Sequence, residues 1–216
     1  NGEEFLNDCI TSVKQVTNKE ITRGDFAKKS VIFPDQSPRS ILEGYDKKRM
    51  PKRYVGGLEG KGVSNLERFV NDGGTLIFLN RSSDFAIEQF NLPVRNIAKL
   101  WERKDFFIPG SILRTEIDTT HPIAEGMESQ SIAWFERSPV FEITDKSRVR
   151  VIAKYPANQN DILLSGWALG KDKVAGKAAL VEVSMGKGKI ILFGFRPQYR
   201  GQSLATFPLL FNAMKR

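Results

Sequence analysis

Two short runs bring together residue types that can do chemistry. Arg196-Pro197-Gln198-Tyr199-Arg200 follows one apolar segment, and Asn80-Arg81-Ser82-Ser83 follows another. Guanidiniums grip carboxylates and phosphates in bidentate fashion. Arg81, Arg196 and Arg200, with Asn80, Gln198 and Tyr199 beside them, therefore form a candidate anion-binding edge. The alternative is that the same residues form a buried network that locks the loop. Ser82 and Ser83 offer hydroxyls just past a strand, where α/β hydrolases display a nucleophile. Yet no G-x-S-x-G motif exists and the flanking glycines are missing. A helix N-cap role is the simpler reading for one of the two serines; a hydrolase with unrecognised serine chemistry stays as the rival. Asn80-Arg81-Ser82 also spells a glycosylation sequon.

The other reactive residue types are sparse. His121 is the single histidine and Cys9 the single cysteine. Histidine-rich zinc sites, Cys-based zinc sites and an intrachain disulfide are thereby excluded. No metal and no cofactor are expected. Cys9 sits in an amphipathic stretch and reads as a small buried hydrophobe. His121 lies in a turn-rich segment and reads as a backbone-bonding turn residue. The carboxylate pairs Glu116/Asp118 and Glu136/Glu142 fall at even strand spacing and share a face; exposed strand faces often show that spacing, and nothing in the sequence identifies a substrate cleft. Gly56–Gly62 is glycine-rich but lacks the G-K-[ST] ending of a phosphate loop, and reads as a flexible segment.

These residues need elements to position them. The 216 residues suit one large domain, 1–216, and the composition, 40% hydrophobic and 27% charged, is that of an ordinary globular chain. Val63–Asn71 is an amphipathic helix; Gly73-Gly74 supplies its exit, and Thr75–Leu79 is then a continuous apolar strand of the parallel, doubly covered kind. Ser83 or Asp84 is expected to cap the next helix, through about Phe90. Ser30–Pro34 is a short strand, and Phe5–Val16 and Leu204–Met214 read as helices. From about 105 to 185 the texture is β-rich: Ser111–Ile117, Ile132–Phe135, Val140–Ile143, Val149–Tyr155 and Ile162–Ser165 are short strands. Ala178–Ser184 and Lys189–Phe195 make a hairpin across Met185–Gly188.

The formal charge of +8 permits anionic partners. The basic residues are scattered, however, without the interleaved aromatics of RNA-binding sheets. A nucleic-acid partner is the least favoured reading. No apolar run approaches the ~20 residues of a membrane helix, so no membrane span is expected.

Two segments together, Phe69–Asn80 and Gly186–Gln202, resemble the class I glutamine amidotransferase-like fold, especially its ThuA-like and β-galactosidase-trimerisation-like branches. The turn His121–Met127 is similar to a recurring element of such domains. A wider resemblance runs through Phe33–Pro38, Tyr54–Leu76, Phe106–Asp118, Leu163–Gly170 and the FGFRPQYRGQ segment. These look like the domain that follows the catalytic domain in some bacterial zinc carboxypeptidase-family proteins.

The resemblance implies a three-layer α/β, flavodoxin-like sheet with a β-rich C-terminal extension and a truncated first strand. It also implies a missing peptidase catalytic domain as partner in the same parent protein, a zinc metallocarboxypeptidase, and a periplasmic or secreted location. The amidotransferase nucleophile would stand at Asn80 or Arg81, and its His-x-Glu pair at Arg196 and Gln198. Arginine is not a base near neutral pH and glutamine carries no charge to stabilise an imidazolium. All three roles are expected to be lost, leaving a pseudoenzyme: an inactive accessory or interaction domain for an anionic ligand or glycan. The chain opens without Met and is expected to be a piece of a longer protein.

Overall fold

The computed structural model describes residues 14–26, 29–48 and 50–215. The helix expected over Phe5–Val16 falls outside these, apart from Lys14–Val16, which carry no helix, and Cys9 lies outside them as well.

Among the described residues, ten strands form one mixed sheet. Three of them, β1 (Ser30–Phe33), β2 (Thr75–Leu79) and β10 (Gly188–Phe193), run parallel, with β2 in the middle. β9 (Ala178–Met185) joins β10 antiparallel, and β7 (Val149–Lys154), β4 (Ser111–Ile117) and β5 (Gln130–Phe135) continue the order outward. The short strands β3 (Val94–Asn96), β6 (Phe141–Ile143) and β8 (Leu163–Ser165) pair at its margins. β3 went unread in the sequence. Its three residues are too few to show a period.

The sheet curls. Arg196, just beyond β10, makes an antiparallel bridge to Trp134 of β5 at the far end of the strand order. The β-rich segment is thus a continuation of the parallel core that folds back toward it. Strand polarity then decides what gathers where. The carboxyl ends of β1, β2 and β10 share one end of the sheet. β5, three antiparallel steps from β9, also points its carboxyl end there.

Both faces are covered, which makes three layers. Side chains alternate along β2: Leu76 and Phe78 enter one core, Ile77 the other. The first core packs helices α1 (Asn18–Arg23), α2 (Pro38–Leu42), α3 (Glu59–Asn71) and α4 (Ser82–Gln89) through Ile21, Ile41, Leu66, Val70 and Phe85. The second packs α6 (Phe207–Lys215) through Leu209, Leu210 and Ala213. A four-residue helix, α5 (Lys171–Val174), adds Val174 to it. Phe33, Phe78, Phe85 and Phe90 form an aromatic cluster beneath α4, with Phe33 and Phe78 stacked at 4.6 Å.

Two expectations are corrected. The glycine-rich stretch is no flexible loop: α3 begins at Glu59, and Gly62 is buried against Leu58, where a Cβ would come within 2.8 Å of that side chain. Gly62, Leu66 and Val70 recur every fourth residue and share the buried face. Nor does Ser83 or Asp84 cap α4. Arg81 holds the N-cap position, with no side-chain cap, because both serines turn inward.

Candidate functional site

Asp35, Asn80, Arg196 and Glu136 stand at or just past the ends of four strands that converge. Asp35 lies two residues beyond β1 and occupies the centre. Its Oδ1 accepts a hydrogen bond from Arg81 Nε at 2.7 Å. Its Oδ2 accepts from Arg196 Nε at 2.8 Å and from Asn80 Nδ2 at 3.1 Å. Glu136, directly after β5, pairs with Arg196 Nη1 and takes a weaker contact from Trp134 Nε1 at 3.4 Å. Two carboxylates and two guanidiniums thus close an ion network across loops as far apart in sequence as Asp35 and Arg196.

Charge in this network is mutually held. Burial opposes the ionised form of Asp35, but hydrogen bonds from Arg81, Arg196 and Asn80 outweigh it and keep its pKa below the usual carboxylate range. Burial likewise works against the cation of Arg196, and Asp35 and Glu136 reverse that, raising its pKa. With its side chain only 16% exposed and two acid partners, Arg196 is a matched cation.

Asn80 is fully buried at the strand-to-helix turn, with φ +55. Left-handed backbone is uncommon for a residue with a Cβ, although asparagine tolerates it best. Its N–H donates to the Phe193 carbonyl at 2.8 Å, which ties the turn to β10. Its Oδ1 is buried and accepts nothing among the described residues. A buried Asn80 also offers no acceptor for glycosylation, so the sequon is silent in this fold.

The serines are committed elsewhere. Ser82 Oγ reaches the carbonyls of Phe33 at 3.1 Å and Leu79 at 2.9 Å; Ser83 Oγ donates to Phe193 O at 3.2 Å, with a longer contact to Phe78 O. Both are fully buried, and among the described residues neither hydrogen-bonds an acid–base side chain. They fasten α4 to the parallel strands.

The remaining predicted site residues separate from the network. Tyr199 stacks on Trp134, ring centroids 4.5 Å apart and 12° from parallel, with the guanidiniums of Arg200 and Arg196 at 5.3 and 5.6 Å from its ring. Its loop is fixed by Ser203 Oγ and Thr206 Oγ1, which donate to Pro197 O. Arg200 is exposed, with φ +50. Among the described residues, Gln198 makes no side-chain hydrogen bond to the cluster. Of the six residues proposed, three join the network, two belong to an aromatic–cation stack beside it, and one stands apart.

Sequence reasoning missed Asp35. The loop rule applied to β2 and β10 extends to β1, where Asp follows Phe33-Pro34, and would have found it. It also missed the neighbouring cleft of about 490 Å³, whose lining includes Arg81, Glu136, Lys99, Arg103 and Arg137. The other carboxylates singled out in the sequence are ion-paired: Glu116 with Lys154, Asp118 with Arg150, Glu142 with Arg95 and Lys177. His121 Nδ1 accepts the Ile123 N–H at 3.1 Å, as a turn histidine should, and its Nε2 lies 3.6 Å from Glu182 Oε2. Among the described residues no group of three or more metal-ligating side chains occurs, and no helix is long and apolar enough to cross a membrane.

No family model matches the chain, and no curated protein matches it. Solved structures do. The chain is similar to the cytoplasmic protein STM1381 of Salmonella typhimurium, with TM-score 0.61 and 12% identity over 100% of this chain and 86% of that one. A candidate GMP synthase subunit from Thermoplasma acidophilum gives TM-score 0.58 and 10% identity over 99% and 85%. A β-galactosidase from Bacillus circulans gives TM-score 0.50 and 15% identity over 87% of this chain but 22% of that one. At such identities these likenesses show the fold: an α/β sheet of the flavodoxin-like, glutamine amidotransferase-like kind.

Proposed function

We propose that this chain is a catalytically inactive accessory or interaction domain. The observation that carries the reading is the closed network at the strand ends. An amide stands at the elbow, and the arginine past β10 is bound to two carboxylates. Acyl transfer needs a nucleophile within hydrogen-bond reach of a base. Asn80 is no such nucleophile, Arg196 is no such base, and Ser82 and Ser83 face backbone carbonyls.

The parent would be a bacterial zinc carboxypeptidase-like protein, as the sequence resemblance implies, with the peptidase domain as partner and a periplasmic or secreted location. The fold's occurrence as 22% of a larger β-galactosidase chain supports an accessory role by analogy of architecture.

The test has two arms. The chain is assayed for hydrolysis of glutamine and chromogenic esters, alone and as the S82A/S83A variant. Rates at the buffer background for both are expected, whereas turnover abolished in the double variant would establish the serine hydrolase instead. The coding region upstream of Asn1 is sequenced in the source genome. A zinc-peptidase domain in the same reading frame is expected, and its absence would remove the proposed parent and with it the inferred export.

A further inference from the structure

The cleft beside the network carries a second set of charges. It is bounded by the start of α4, the turn after β3, the segment 103–109 and the end of β5. Four cations line it, Arg81, Lys99, Arg103 and Arg137, against two acids, Asp84 and Glu136. Both acids are already matched. Asp84 has Lys99 Nζ at 3.1 Å and accepts from Asn96 Nδ2 at 2.8 Å, and Glu136 has Arg196. Arg103 and Arg137 are exposed and have no carboxylate partner among the described residues. Arg81 meets Asp35 through Nε alone. The Arg103 guanidinium lies 4.3 Å from the centre of the Phe107 ring, and Phe106, Ile108 and Phe135 continue the apolar lining.

We propose that this cleft binds a small amphipathic anion, a carboxylate or phosphate monoester on an aromatic or aliphatic body. Arg103 and Arg137 take the anionic group, and Phe106 and Phe107 take the body. Exposed guanidiniums that lack a carboxylate partner beside an apolar wall gain from a shared anion, whose oxygens fit their fork geometry. A bare inorganic anion would leave the aromatic wall wet. A neutral body would leave the guanidiniums unmatched. The cleft sets charged groups beside an apolar wall, and in a small-molecule site the polar groups fix orientation while the wall takes the body. The inference goes beyond the accessory-domain reading and does not rest on it.

Phenyl phosphate, phenylacetate, inorganic phosphate and benzyl alcohol are titrated into the full chain by calorimetry. At least one aromatic anion is expected to bind about tenfold or more tightly than inorganic phosphate or benzyl alcohol. Which of the two leads identifies the head group. R103Q/R137Q is expected to lower that affinity at least about tenfold. K146Q/K187Q removes the same charge at the opposite end of the sheet and is expected to change it less than about twofold. All four positions are exposed, and matching thermal midpoints check that the variants fold. Absence of binding by both aromatic anions up to about 10 mM would overturn the proposal, as would an unchanged affinity in R103Q/R137Q. An equal loss in the control pair would overturn it too.

Discussion

Asp35 Oδ2 accepts a hydrogen bond from Arg196 Nε at 2.8 Å, joining the loop after the edge strand β1 to the loop after the interior strand β10. No stretch of backbone ladder connects those two loops, since β2 lies between their strands. The pair is mostly shielded, with side chains 18% and 16% exposed. Truncating Arg196 takes from Glu136 its cation and leaves Asp35 with one guanidinium instead of two, which costs more than the pair itself contributes. R196A is therefore expected to lower unfolding free energy by about 2–4 kcal/mol. D35A/R196A should lose less than the two single variants summed, with a coupling of about 1–3 kcal/mol in a urea-unfolding cycle. Additive losses would show that the loops are held by something other than this contact.

Two aspartates near the same end of the sheet should respond to pH with opposite signs. Asp35 has a lowered pKa because hydrogen bonds from Arg81, Arg196 and Asn80 overcome its burial. Its folded state stays ionised to lower pH than its unfolded state. Its contribution is therefore complete above the ordinary carboxylate range and is lost as pH falls through the folded value. Asp84 has a raised pKa because burial outweighs the help of Asn96 and Lys99. Stability falls as pH rises from its unfolded value, about 4, toward its folded one. The deficit of D35N against the parent should thus shrink below about pH 4, while D84N should gain relative to the parent as pH rises above about 4. Urea melts from about pH 3 to neutral pH read both slopes without added salt, and parallel slopes would contradict the assignment.

The parallel core was legible because its signals are local. Thr75–Leu79 is an unbroken apolar run between a glycine exit and a polar loop, and Gly186 turns the hairpin into β10 at φ +57, where a Cβ would strike Asn71. Those residues announce themselves without knowledge of their neighbours. The site was legible only in part, for the opposite reason. Asn80, Arg81 and Arg196 could be named from the strand-end rule. That Arg196 is matched by Asp35 and Glu136 depends on the curl that returns β5 to β10, and no local pattern encodes a curl. The serines misled because capping and inward anchoring demand the same residue type. The choice fell to the carbonyls of Phe33 and Phe193, more than 45 residues distant in each case. Arg103 and Arg137 look like ordinary solvated cations until the fold brings them to one cleft.

The elbow geometry predicts an inversion of the usual glycine penalty at Asn80. Both N80A and N80G lose the contact with Asp35, so they differ only in backbone and methyl group. At φ +55 the alanine Cβ costs about 1–2 kcal/mol, whereas glycine adopts this region freely at some cost in unfolded-state entropy. N80G is expected to be more stable than N80A by about 1 kcal/mol in thermal or urea unfolding. Equal stabilities, or alanine ahead, would mean that the turn relaxes out of the left-handed region once the amide is gone.

Tyr199 closes the side of the network through its ring rather than its hydroxyl. The stack on Trp134 is face to face at 4.5 Å, and Trp134 is the residue whose backbone bridges to Arg196. The ring therefore braces the strand that brings Glu136 to Arg196. Such a pair contributes about 0.5–1.5 kcal/mol beyond the area it buries. Y199F keeps the ring and is expected to leave stability unchanged. Y199A should cost about 1–2 kcal/mol and shift tryptophan emission to longer wavelength as Trp134 becomes wetter. W134F, in turn, should abolish that spectral response while Trp101 and Trp167 still emit. A red shift in Y199A that persists in Y199A/W134F would place the effect at another tryptophan and remove the ring from its bracing role.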